Sequence, residues 1–135
     1  MRKALLYALF AIILFLGLAL GVSAISNHVH HSAAQKTSDL FVSEVLAGDA
    51  NASYKQFTNA SQQAITQVNW QAEVNNLNNF FKGSSPHLQN MKDSGNFELA
   101  TYALDGSDGK YTFTVVLSKS SSAWQIVSFT SRLQQ

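Results

Sequence analysis

The chain has 135 residues, and its lysines and arginines exceed its aspartates and glutamates by one. It contains no cysteine, which excludes disulfide bonds, thiol catalysis and cysteine metal sites. The few charged residues are scattered singly, without the basic stripe that neutralises phosphate groups, so we expect no nucleic-acid partner.

Residues 4–22 form an apolar segment without any charged residue, and Arg2 and Lys3 directly precede it. As a helix this segment would reach about 28 Å, close to the ~30 Å hydrocarbon core of a bilayer. Positive residues before such a segment favour a cytoplasmic N-terminus. The sequence therefore predicts that residues 4–22 contact the lipid bilayer and that a single-pass protein presents its C-terminal domain outside the cytoplasm.

Val22, Ser23 and Ala24 also match the small residues that precede a signal-peptidase cleavage site. A cleaved signal usually has an apolar core of about 7–15 residues, which is shorter than this one. An uncleaved anchor is therefore the preferred interpretation, and secretion after cleavage near Ala24 stays open. The predicted organisation is a cytoplasmic tip and anchor over residues 1–24, a juxtamembrane linker over 25–36 and one domain over 37–135.

The linker carries three of the four histidines, His28, His30 and His31. Neutral imidazole is a common ligand of transition metals, so this cluster is a candidate metal site. However, no carboxylate lies within the cluster, and a linker holds its ligands in no fixed geometry. A solvated tether is the preferred interpretation, and we expect no bound metal or other cofactor.

The first half of the domain has helical periodicity. Residues 37–48 predict an amphipathic helix that Gly48 can end. Its expected buried residues are Leu40, Phe41, Val45 and Leu46. Residues 50–60 predict a second short helix, and residues 61–68 either continue it or form an extended link.

The strongest helical pattern begins after Asn69, which is expected to cap the helix. Its apolar residues recur with the helical period. They are Trp70, Val74, Leu77 and Phe81. The segment from Gly83 to Pro86 is expected to end this helix.

From His87 onward, apolar and polar residues alternate with a period of two, which is typical of strands. The four expected strands are residues 87–91, 97–104, 111–117 and 124–130. Short turns at residues 105–109 and 119–122 make the neighbouring strands antiparallel. Helices followed by strands predict an α+β domain with about three helices on an antiparallel sheet of three to four strands.

Two stretches of the chain carry a resemblance to a known family. The first is Gly48-Asp49-Ala50 followed by Tyr54-Lys55-Gln56-Phe57. The second is Gly109–Val115 followed by Ala123–Phe129, with its Trp-x-Ile pattern. The sequence resembles the nuclear transport factor 2-like (NTF2-like, or cystatin-like cone) superfamily, and in particular small membrane-anchored bacterial members of unknown function. The resemblance implies a curved sheet around the long helix, with a cavity at the open end of the cone.

Enzymes of this superfamily, such as ketosteroid isomerase and the polyketide cyclases, use carboxylate, tyrosine or histidine side chains in that cavity. Glu98 shares a strand face with Tyr102, and His87 follows Pro86 at a loop edge. Glu98 and His87 are therefore the candidate catalytic residues for an isomerase or cyclase-like enzyme, which is the alternative function. A solvent-exposed position is the simpler interpretation of both side chains.

Aromatic residues are the candidates for lining a ligand pocket. They are Tyr54, Phe57, Trp70, Phe81, Tyr102, Phe113 and Trp124. At their spacing, aromatic residues are more often part of a plain core, and Trp124 is expected to pack near Trp70.

Strand 111–117 also has a second face, partly apolar and rich in threonine, on which Thr112, Thr114 and Val116 lie. Such a face suits contact with a partner protein, and the resemblance implies the same because the superfamily dimerises across its sheet. The leading hypothesis is a membrane-anchored extracytoplasmic binding domain without catalytic machinery. Its expected partners are a second copy of the chain, another exported protein or a small apolar ligand. A pilin-like subunit ranks last because the usual pilin processing site is missing.

Overall fold

The computed structural model describes residues 31–121 and 123–135, with side chains from Ala33 onward. Within these residues the helices come first and the strands follow. The helices are α1 (His31–Ala47), α2 (Ala50–Lys55), α3 (Asn59–Ala64) and α4 (Gln67–Phe80). The strands are β1 (His87–Ser94), β2 (Phe97–Gly106), β3 (Gly109–Ser120) and β4 (Ala123–Leu133). The predicted α+β class is confirmed, with four described helices in place of about three.

The predicted membrane segment, residues 4–22, lies outside the described residues, as do the possible cleavage site near Ala24 and the first part of the predicted linker. Across residues 31–121 and 123–135, no helix combines the length and the apolar character that crossing a bilayer requires.

The four strands form one curved antiparallel sheet in the order β1-β2-β3-β4, which confirms the predicted meander. β2 and β3 pair without interruption. The pairing of β1 with β2 shifts register between Leu88 and Asn90, and the pairing of β3 with β4 shifts between Val116 and Leu117. Such irregularities increase local twist and bend a sheet. The strands can therefore curve around the helix that packs on them.

α1 packs across all four strands. Its buried residues recur with the helical period and are Ala34, Ser38, Phe41, Val42 and Val45. The prediction that Leu40 is buried is wrong, because Leu40 lies on the opposite side of this stripe and is 54% exposed. The described helix also includes the residues from His31 to Lys36, before the predicted start near Thr37, and Ala34 adds a buried residue there.

The prediction of one helix over residues 50–60 is wrong, because the chain leaves the helix after Lys55 to pair with β4. The Thr58 amide donates to the Ile126 carbonyl at 2.9 Å, and the Ile126 amide donates to the Gln56 carbonyl at 2.8 Å. These bonds cover part of the free edge of β4, which would otherwise be open to pairing with another chain.

Thr66, rather than the predicted Asn69, caps α4, and its side chain accepts a hydrogen bond from the Asn69 amide at 3.2 Å. Threonine and asparagine are both good capping residues, so composition alone does not choose between them. The predicted buried stripe of this helix is confirmed, and Trp70, Val74, Leu77 and Phe81 all lie in the core.

Candidate functional site

Six of the aromatic residues proposed for a pocket lie in the packed interior between the helices and the sheet. They are Tyr54, Phe57, Trp70, Phe81, Tyr102 and Phe113. The rings of Phe57 and Trp70 meet edge to face with their centroids 4.9 Å apart, and Phe81 meets Phe113 in the same way at 4.9 Å. These rings pack against one another in the core.

The polar atoms of this interior have partners within it. The indole nitrogen of Trp70 donates to Ser53 Oγ at 2.9 Å, and the Tyr54 hydroxyl lies 2.9 Å from the Ile65 carbonyl. Among the described residues, no buried side-chain nitrogen or oxygen lacks a hydrogen-bond partner. Unpaired buried polar groups usually call for an explanation, often a ligand or a catalytic role, and the interior offers none.

Tyr102 links the sheet to α1. Its hydroxyl donates to Asp39 Oδ1 at 2.6 Å and lies 2.9 Å from Ser38 Oγ. Burial, together with the hydrogen bond to Asp39, raises the pKa of Tyr102 well above its ordinary value. The phenol therefore stays protonated at neutral pH and acts as a hydrogen-bond donor between the two elements.

A cleft of about 490 Å³ lies where the β1–β2 hairpin meets the end of β3 and the start of β4. We call it the strand-end cleft. Its lining residues are Asp93, Gly95, Asn96, Phe97, Glu98, Ser118, Lys119 and Trp124. It contains one of the two candidate catalytic residues, Glu98, and one of the aromatic pocket candidates, Trp124.

The strand register brings the charged residues of this cleft together. Asp93 pairs with Glu98, Glu98 pairs with Leu117, and Lys119 pairs with Trp124. Because side chains alternate along a strand, all of these residues lie on the same side of the sheet as the buried Leu117, which is the side that faces the helices. The cleft therefore forms one end of the concave side of the sheet.

The tight turn between β1 and β2 holds Asp93, one of the two acidic residues of the cleft, in place. Asp93 Oδ1 accepts a hydrogen bond from the Gly95 amide at 3.0 Å, as aspartate does in tight turns. Gly95 has a φ of 73°, a left-handed conformation that glycine adopts without strain. The turn thereby holds Asp93 opposite Glu98 across the hairpin.

The two candidate catalytic residues lie in different environments. Glu98 is only 2% exposed, so the simpler interpretation of a solvent-exposed side chain is wrong for this residue. His87 is exposed and pairs with Ala103, at the opposite end of β1 from the cleft. The structure therefore does not bring Glu98 and His87 together.

Trp124 lines the strand-end cleft and is a partly buried side chain packed against the core, whereas Trp70 lies within the core against Phe41, Phe57 and Phe129. The expected contact between the two tryptophans is not among the ring contacts of the described residues. The reason is the position of Trp124 near the start of β4, opposite Lys119, where it lines the cleft.

The other side of the sheet faces away from the helices. We call the contiguous uncharged residues of β2, β3 and β4 on that side the outer sheet face. They are Phe97, Leu99, Thr101, Ala103, Thr112, Thr114, Val116, Ser118, Gln125, Ser128 and Thr130. The three predicted interface residues, Thr112, Thr114 and Val116, are half-buried at its centre. Charged residues on the same side adjoin it directly: Lys92 pairs with Leu99, Arg132 pairs with Thr112, and the paired Asp105 and Lys110 lie next to Ala103 and Thr112 along their strands.

A comparison with solved structures finds a matching fold. The crystal structure of an NTF2-like protein of unknown function from Shewanella baltica OS155 matches with a TM-score of 0.59 and 16% sequence identity. The match covers 82% of this chain and 99% of that chain. The chain has the NTF2-like fold. The resemblance predicted from the sequence is thus confirmed at the level of the fold.

No protein-family model matches the sequence, and no curated protein matches it significantly. At 16% identity, the match to an NTF2-like structure shows the fold of this chain. It does not indicate a ligand or a reaction. What this NTF2-like domain does must therefore be argued from its own residues.

The candidate metal ligands of the linker fall mostly outside the described part of the chain. His28 and His30 precede it, and His31 is the first residue of α1. Within the described part of the NTF2-like domain, no group of three or more histidine, aspartate or glutamate side chains lies close enough to hold a metal ion.

The two other charged residues of the cleft, Asp93 and Lys119, were not among the site residues predicted from the sequence. The first strand was expected to end at residue 91, which left Asp93 in a loop. The sequence Asp93-Ser94-Gly95-Asn96 is a typical turn sequence, and treating it as a hairpin would have placed Asp93 opposite Glu98. In this NTF2-like domain, that pairing forms the acidic side of the cleft.

Proposed function

We propose that this chain is a membrane-anchored extracytoplasmic domain that binds a protein partner or a second copy of itself through the outer sheet face, without catalysing a reaction. The uncharged residues 4–22 after Arg2 and Lys3 support the anchor and its orientation.

The charge pattern of the outer sheet face carries this proposal. No charged residue lies in its middle, from Thr114 to Ser118 on β3 and their partners on β2 and β4, although that part includes the partly exposed apolar side chain of Val116. Charged residues such as Lys92 and Arg132 occur only along its borders. Protein interfaces have this same pattern, with charge depleted at the centre and a polar rim.

The size of this face indicates a weak association. Three strands about 4.8 Å apart, with four side chains on β2, four on β3 and three on β4 at about 7 Å spacing, cover roughly 14 Å by 20–27 Å. This is about half of the ~800 Å² that each partner of a standard interface buries. We therefore expect association that depends on concentration, which membrane anchoring would favour by confining the copies to one surface.

The alternative function, an isomerase or cyclase-like enzyme, has one observation in its favour, the burial of Glu98 in the strand-end cleft. Two observations favour the binding domain instead. The aromatic residues of the interior pack against one another, and the cleft also contains the charged Asp93 and Lys119, which leaves Glu98 in polar surroundings.

The binding proposal is tested by replacing Val116 with lysine. A charge at the centre of an interface is costly, whereas a charge on a solvated surface is not. The full-length protein in mild detergent should associate as its concentration rises in sedimentation experiments, and Val116→Lys should abolish this association without changing the thermal melting curve. Ser107→Lys, in the exposed β2–β3 turn, is the matched control and should associate like the wild type. Equal association of all three proteins would contradict the proposal.

The enzyme alternative has a separate test. A base in the cleft would remove a proton next to a ketone, so the protein would speed deuterium exchange into small ketones in heavy water. Glu98→Gln should then lower this rate by about 10²-fold or more. The binding proposal expects no protein-dependent exchange, in either the wild type or the variant.

A further inference from the structure

We propose that the strand-end cleft binds a small zwitterion, a molecule of amino-acid size that carries both an ammonium and a carboxylate group. This ligand is distinct from the protein partner proposed for the outer sheet face. The proposal rests on the arrangement of two acidic residues, one basic residue and one tryptophan around a single cavity.

The acidic side of the cleft is formed by Asp93 and Glu98. The two residues are paired across the β1–β2 hairpin, so their Cβ atoms are about 4.5–5.5 Å apart and on one side of the sheet. Glu98 is almost fully buried, whereas Asp93 is half-buried. Carboxylates are the natural acceptors for an ammonium group, and these bonds are stronger than those between neutral groups.

The opposite side of the cleft is formed by Lys119 and Trp124, which are paired on β3 and β4. Lys119 is exposed and supplies a mobile positive charge for a carboxylate. Trp124 is half-buried and supplies an aromatic surface, which packs against carbon atoms and also attracts a nearby cation.

The two sides are close enough for one small molecule to bridge. Glu98 is paired with Leu117, and Lys119 is two residues further along β3, so Glu98 and Lys119 are diagonal neighbours about 7–8 Å apart. A cleft of about 490 Å³ is within the usual range for small-molecule sites, roughly 300–1,000 Å³. A ligand with both charges can contact both sides at once, whereas a simple acid or a simple amine can contact only one.

The two tryptophans of the chain give a direct test, because one lies in the cleft and the other in the interior. The full-length protein is labelled with nitrogen-15 at its indole groups and observed by NMR, with the two signals assigned from a Trp124→Phe variant. Three matched probes are then titrated: L-phenylalanine, phenethylamine, which lacks the carboxylate, and 3-phenylpropionate, which lacks the ammonium. The Trp124 signal should shift with L-phenylalanine, and the Trp70 signal should stay in place.

Two variants separate the contributions of the two charges. Asp93→Asn should weaken binding of L-phenylalanine about tenfold and leave the weak binding of 3-phenylpropionate unchanged. Lys119→Met should also weaken the binding of L-phenylalanine about tenfold and leave the binding of phenethylamine unchanged. Both side chains are at least partly exposed, and an unchanged Trp70 signal shows that each variant is folded.

The proposal is overturned if no probe shifts the Trp124 signal, if phenethylamine or 3-phenylpropionate binds as tightly as L-phenylalanine, or if neither variant changes binding. The site is also independent of the outer sheet face. Val116→Lys should bind L-phenylalanine like the wild type, so failure of the partner proposal and failure of this one can be told apart.

Discussion

The hydroxyl of Tyr102 in β2 donates a hydrogen bond of 2.6 Å to Oδ1 of Asp39 in α1. The two residues are 63 positions apart in the chain, so this bond joins the first described helix to the second strand. Ser38, the neighbour of Asp39, lies 2.9 Å from the same hydroxyl and is fully buried. One phenol thus fixes where α1 lies on the sheet.

Tyr102 makes the stability of the domain sensitive to alkaline pH. Burial raises its pKa in the folded state above the value of about 10 in the unfolded state. Its contribution to the free energy of unfolding is therefore fully present below about pH 10 and is lost as the pH rises towards the folded-state pKa. Tyr102→Phe should lower stability by about 1 kcal/mol near neutral pH, because it leaves Ser38 without this partner.

The measurement is urea unfolding of the full-length protein and of Tyr102→Phe at several pH values from 7 to 11. Other tyrosines and the lysines titrate in both proteins, so the difference between the two is the quantity of interest. This difference should shrink above pH 10. A difference that stays constant across the range would show that the phenol is not held in its protonated form.

Trp70 is the side chain whose loss should cost most. It is buried, its ring stacks on Phe41 at 5.9 Å and meets Phe57 edge to face at 4.9 Å, and its indole nitrogen donates to Ser53. Trp70→Ala should lower the free energy of unfolding by about 3–5 kcal/mol, a large part of the ~5–15 kcal/mol of a typical domain.

Val68→Ala is the matched control for Trp70→Ala. Val68 is in the same helix but is 79% exposed, so its truncation should change the free energy of unfolding by less than about 0.5 kcal/mol. Urea midpoints of the wild type and the two variants check both values. Similar midpoints for Trp70→Ala and the wild type would show that this helix does not bury Trp70.

The elements that could be predicted are those whose pattern is local. The spacing from Trp70 to Phe81 specifies a helix and its buried side, and the alternation from Tyr111 to Leu117 specifies a strand and its two faces. Both patterns match the structure. They depend only on residues within one element.

The features that could not be predicted depend on how separate elements meet. The chain leaves the helical conformation after Lys55 because Gln56 and Thr58 bond to Ile126, far away in sequence. The strand-end cleft likewise needs the register of four strands at once, including the shift between Val116 and Leu117. No single stretch of sequence contains that information.

The orientation of the anchor has its own test. Arg2 and Lys3 before the uncharged residues 4–22 favour a cytoplasmic N-terminus. Alkaline phosphatase, which is active only after export, should therefore be active when fused after Gln135. A green fluorescent protein that folds only in the cytoplasm should stay dark at the same position. The reverse result would contradict the predicted orientation.

The central claim is that the outer sheet face of the anchored protein contacts a partner outside the bilayer. Because the chain contains no cysteine, this claim can be measured directly with introduced thiols. Thr114→Cys places a single thiol at the centre of this face, and Gln71→Cys places one on the exposed side of α4 as a control. A bismaleimide cross-linker is then added to cells that produce each full-length variant. We expect Thr114→Cys to give a covalent dimer or a defined larger species in much higher yield than Gln71→Cys, and a further Val116→Lys change to remove it. Equal yields from the two thiols, or cross-linking that persists with lysine at position 116, would contradict the claim.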